Sequence, residues 1–111
     1  MRDFIKELYE HQKKLQEQLV GTTEFNSQRM YGSATAAIVE ICEMLQSDTR
    51  WKATVTGSKK PPVWNIEQFK EEFADVMIYL MNVLVYQNVD IQDIEVAIYE
   101  KIKVNNKRFG L

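Results

Sequence analysis

The sequence predicts an all-α domain: a bundle of four helices completed by association with further copies of itself. Three observations carry this expectation. Apolar residues recur at three- and four-residue spacing in four successive segments of the 111-residue chain. Glycine (4) and proline (2) are scarce and cluster between those segments. The run 76–86 is apolar nearly all round, which a helix on the outside of a lone monomer would not be. A symmetric homodimer is the default way to bury such a helix, and a dimer of dimers is the next. The plainer alternative is that a long loop folds over it.

The first helix is expected over residues 3–20, with the apolar stripe Ile5, Leu8, Leu15 and Leu19, and Gly21 ending it. A polar link, 21–25, leads to the second helix over residues 26–46. Residues 47–64, with Gly57 and Pro61-Pro62, read as a loop without regular structure. A loop of that length in so small a domain points to function or mobility. Asn65 is a good helix cap, with Gln68 three residues on, and starts a third helix that ends near Asn88. Asp90 caps a fourth, which runs to about Arg108.

The length supports one domain, residues 1–111, around one core. With 14 basic and 16 acidic residues the net charge is -2, so there is no general field for gripping a nucleic acid polymer or an acidic membrane. The amino terminus is too charged for a signal peptide, and the longest apolar stretch is far too short to span a bilayer. The lone cysteine, Cys42, cannot form a disulfide within the chain, which fits a reducing compartment. Together these features predict a cytoplasmic protein.

Four acids sit where acids need a reason. Glu40 and Glu43 interrupt an apolar run in the second helix, and Glu72 and Asp75 interrupt one in the third. An i, i+3 pair falls on one helical face, so two pairs on facing helices would bring four carboxylates together. Charges are not buried without a partner, and a hard cation such as magnesium is the simplest one. Taken singly, either pair is more often a solvated surface feature.

On the last helix Lys101, Asn105 and Arg108 lie within about 60° of one another at helical pitch. Two cations and an amide on one face suit a phosphate chain, although basic residues also gather at helix carboxyl ends because of the dipole. Gln12 lies in the first helix's apolar stripe, where a buried amide needs partners; it can read a base edge or sit at the rim of a helix interface. The loop combines Arg50, Lys52, Lys59 and Lys60 with Trp51 and Trp64, a composition able to stack a base and hold phosphates. His11, the only histidine, is expected to face solvent and is given no role. There is no Gly-rich phosphate loop, no zinc spacing and no triad with a usable histidine.

With these residues assembled, the chain resembles the all-α nucleoside triphosphate pyrophosphohydrolases, which include MazG-like proteins and the dimeric dUTPases. Glu40-x-x-Glu43 and Glu72-x-x-Asp75 match the two acidic motifs of that superfamily. Lys101-x-x-x-Asn105-x-x-Arg108 is similar to a later motif of the dimeric dUTPases. The segments 8–15 and 48–52 are similar to stretches of phage-type dUTPases. The resemblance spans nearly the whole chain. It implies magnesium-dependent hydrolysis of a nucleoside triphosphate to monophosphate and pyrophosphate. The acids Glu40, Glu43, Glu72 and Asp75 would bind the metal, and Glu43 would also orient or activate the attacking water. Lys101 and Arg108 would hold phosphate oxygens, Asn105 the sugar or a phosphate, and Gln12 and Trp51 the base. In the family the site often borrows residues across the dimer. The substrate is then dUTP or, for a MazG-like enzyme, another base or a broad set. A helical dimer that serves only for interaction is the alternative from another class.

Overall fold

The computed structural model describes residues 3–111 as five helices: α1 (Phe4–Val20), α2 (Ser27–Gln46), α3 (Arg50–Thr56), α4 (Ile66–Gln87) and α5 (Ile91–Phe109). No strand occurs among the described residues. The helix starts follow from side-chain caps, which satisfy amide groups that no preceding turn can reach. Asp3, Asn26, Asn65 and Asp90 each accept a hydrogen bond from a first-turn amide, at 3.1, 3.0, 3.1 and 2.8 Å. Gly21 closes α1 in the left-handed region at φ 93°, as its lack of a side chain allows. Asn88 closes α4 at φ 59° and is the only non-glycine residue there among the described ones.

The expected four helices are thus corrected to five, because the presumed loop contains α3. That helix has seven residues, no buried side chain and no side-chain cap, so no periodic stripe announces it. Its surroundings tie the segment 47–65 into a closed lobe. The amide of Asn65 donates to Ser47 O (2.8 Å) and that of Thr49 to Val63 O (2.8 Å). The Val63 amide donates to Thr49 Oγ1 (2.7 Å), and Asp48 and Trp64 form an isolated β-bridge. The carboxylate of Asp48 chelates the Arg50 guanidinium at 2.9 and 2.7 Å, and that guanidinium lies 4.1 Å from the centre of the Trp64 ring.

The antiparallel pair α2 and α4 forms the main packing contact, α1 packs on α4, and α5 rests on α1. The core consists of Tyr9, Met81, Val85 and Ile91, flanked by Ile5, Leu8, Leu84 and Ile94. Polar bonds fix α1 against the far end of α4: Tyr9 Oη donates to Val89 O (3.1 Å) and Tyr86 Oη to Gln16 Oε1 (2.6 Å). The buried face of α1 is turned from the expected stripe. Tyr9 and Gln12 are buried, whereas Leu19 is 70% exposed.

The over-apolar third helix of the sequence is α4. It buries Val76, Met81, Val85 and Tyr86, while Phe73 and Leu80 stay open. Its packing partners are α1 and α2. The protein remains expanded. Its radius of gyration is 17.3 Å, against about 13 Å for a compact chain of this length. Its accessible surface is 8533 Å², against roughly 6,400 Å² for a compact monomer of this mass. Among the described residues no helix is long and apolar enough to cross a membrane.

Candidate functional site

Helix α2 carries Glu40 and Glu43 one turn apart, and α4 carries Glu72 and Asp75. Because the two helices run antiparallel in close contact, the faces bearing the acids meet. One carboxylate oxygen from each of Glu40, Glu43 and Glu72 lies within 4.8 Å of the others. Asp75 falls outside that set, but its charge still acts on Glu40.

Glu40 is the centre of the cluster. Its carboxyl is pushed up to about 7, first by the adjoining Glu72 carboxyl, then by burial and by the charges of Glu43, Glu72 and Asp75. Its Oε2 is buried and accepts no hydrogen bond. Among the described residues the ion pairs lie elsewhere, at Arg50–Asp48, Lys70–Glu67 and Lys103–Glu100. A buried acceptor without a donor is costly, and adjoining carboxylates repel. Either a shared proton or a cation relieves both. The donors are all carboxylate oxygens, which suits a hard divalent ion such as magnesium and argues against the softer metals. The residues therefore fit the group that the sequence led us to expect.

The other predicted residues are distributed as follows. Gln12 is buried at 2% exposure. Its Nε2 donates to Asn82 Oδ1 on α4 (3.0 Å), and its Oε1 is 2.9 Å from His11 Nδ1. His11 is solvent-facing, as expected. Trp51 lies on α3, and its indole N–H donates to Leu45 O at the end of α2 (3.1 Å), with the Lys52 ammonium 5.8 Å from its ring centre. This contact holds α3 beside the end of α2 that carries Glu43. Lys101, Asn105 and Arg108 are exposed on α5, which packs on α1 rather than on the helices bearing the acids. One protomer thus assembles the acids but does not bring the α5 cations to them.

Sequence reasoning missed two features. One is Asn82 as the partner of Gln12, signalled only by an amide inside an apolar run. The other is the Asp48–Arg50–Trp64 latch, whose members were visible as a cation among aromatics but not as a closed unit. In that latch the Arg50 guanidinium holds the Asp48 carboxyl below its ordinary value.

An all-helical protein whose antiparallel helix pair presents a carboxylate cluster fit for a hard cation belongs to the class of metal-dependent hydrolases acting on phosphate compounds. A family model described as dUTPase matches residues 4–109, and the chain belongs to that all-helical, dUTPase-like family of nucleotide hydrolases. No curated protein and no solved structure gave a match.

Proposed function

We propose that this protein hydrolyses a deoxynucleoside triphosphate, with dUTP the first candidate, to the monophosphate and pyrophosphate in the presence of magnesium. The supporting observation is the set of three carboxylates within 4.8 Å, with a buried Glu40 oxygen lacking any donor. On this reading Glu40, Glu43, Glu72 and Asp75 hold magnesium, which supplies neutralisation of phosphate charge and acidification of water. Glu43 orients the attacking water and accepts its proton. Lys101 and Arg108 hold phosphate oxygens through charge-assisted hydrogen bonds, and Asn105 positions the sugar or a phosphate. Gln12 and Trp51 serve base recognition. For Gln12 this requires its amide to leave Asn82 or to act through it.

The working form is a homodimer or a dimer of dimers in the cytoplasm. The surface excess over a compact monomer supports self-association. The test is pyrophosphate and monophosphate release from a panel of ribo- and deoxynucleoside triphosphates with magnesium, alongside Glu43→Gln. Turnover of dUTP well above the rest, lost in the variant, is the expected result. Turnover of a different or broader set keeps the reaction and discards the uracil preference. A folded, magnesium-loaded protein that turns over no nucleotide refutes the proposal.

A further inference from the structure

The two halves of the proposed site lie apart in one protomer. The acids stand on α2 and α4. Lys101, Asn105 and Arg108 stand on α5, whose packing partner is α1. Only the start of α5 is well seated: Ile91 is buried and Ile94 half-buried, and from Val96 onward every residue is exposed. That outer part is roughly 20 Å long at 1.5 Å per residue. It carries an apolar stripe of Ile98, Ile102 and Phe109, exposed at 49, 46 and 66%. Apolar stripes of this kind face a partner, not water.

We infer that the outer half of α5 from one copy lies over the acid cluster of a second copy, so that Lys101, Asn105 and Arg108 complete the site of the neighbouring protomer. Three observations select a second copy as the occupant. The first is charge: this half of α5 carries Lys101, Lys103, Lys107 and Arg108 against the single acid Glu100, while the receiving face carries Glu40, Glu43, Glu72 and Asp75. The second is apolar complementarity. Around the acids, α2 and α4 leave Ile38, Val39, Leu45, Phe73 and Leu80 exposed, at 61, 50, 44, 48 and 41%. The third is area. The protomer's surface exceeds that of a compact monomer by roughly 2,100 Å². A standard interface takes about 800 Å² from each partner, and an obligate one roughly 1,000–2,500 Å².

This assignment rests on the hydrolase reading, so two tests separate their failures. In the first, Glu43→Gln chains and chains carrying both Lys101→Ala and Arg108→Ala are co-expressed with different tags, and the mixed dimer is isolated. If α5 acts on the neighbouring copy, the mixed dimer holds one wholly intact site and regains about half of wild-type turnover. If α5 serves its own chain, both sites are damaged and nothing is regained, which overturns the inference while leaving the hydrolase reading in place. The second test needs no activity. Cys42 is the native cysteine, exposed on α2 next to Glu43. Mild oxidation of Asn105→Cys, with the wild type as control, is expected to give disulfide-linked dimers absent from the control. A link within one chain, or no new link, overturns the inference. Linked dimers from a protein that hydrolyses no nucleotide would refute the proposed function and keep the arm.

Discussion

Removing the Asn82 amide tests the best-defined buried polar contact in the protein. Gln12 and Asn82 are 2 and 6% exposed, and their 3.0 Å bond joins α1 to α4. Asn82→Ala leaves Gln12 Nε2 buried with no acceptor, and an orphaned buried donor costs about 1–3 kcal/mol. At a urea dependence of about 1–3 kcal/mol per molar, the unfolding midpoint falls by roughly 1 M. Gln12→Ala costs a similar amount because it orphans Asn82 Oδ1 and opens a void. The double variant should cost less than the sum, by about 1 kcal/mol, because the second substitution removes a group already orphaned. The assay is urea unfolding of the four proteins at one fixed protein concentration, since association contributes to stability. Strict additivity of the two single effects would refute the claim that these amides depend on each other.

Further outcomes follow from the acid cluster, the lobe and the α4–α5 junction. With its folded value raised to about 7 from an unfolded 4.5, Glu40 keeps its proton in the native state when the unfolded chain has released it. The metal-free protein should therefore lose stability as pH rises from about 4.5 to 7 and level off above. Melting in a chelating buffer across that range should show this slope, and Glu40→Gln should flatten it while raising the neutral-pH melting temperature. Magnesium should raise the melting temperature of the wild type and fail to do so in Glu40→Gln. Arg50→Ala should speed amide hydrogen exchange across residues 47–65 while changing global stability by less than about 1 kcal/mol, because the pair is exposed; a loss of several kcal/mol would assign the latch to the core. At Asn88, whose φ is 59°, a β-branched residue is strained, so Asn88→Val should cost about 1–3 kcal/mol in chemical denaturation and Asn88→Gly almost nothing.

The sequence displayed what local geometry controls. Asn65 and Asp90 cap the helices that they were expected to cap, because a short polar side chain before an apolar run has one good use. Glu40 and Glu43 share a face by helical pitch alone, and Glu72 joins them because apolar runs of similar length were bound to pack together. What depends on contact between distant segments was hidden. Gln12 could not announce Asn82 seventy positions later. Helix α3 is held by the Trp51 indole on Leu45 O and by the bonded ends of its lobe, and neither leaves a periodic trace. Leu19 belonged to the apolar stripe yet lies open, because the crossing of α1 over α4 favours the face of Tyr9 and Gln12. The covering of the outer part of α5 is of the same kind: its stripe was plain, but one chain contains no surface that receives it.

The bonded neck between residues 47–49 and 63–65 also bears on how such a protein diversifies. It pins the last turn of α2 to the first turn of α4 before the lobe begins, so the spacing of the acids is set without reference to what the lobe contains. Residues 50–62 can then be lengthened or exchanged at little conformational cost, since doubling a loop whose ends are already joined adds only about 0.6 kcal/mol. A lineage could rewrite the basic and aromatic face presented to a new ligand while the carboxylates kept their register. The neck makes the lobe a replaceable cassette on a fixed reaction platform.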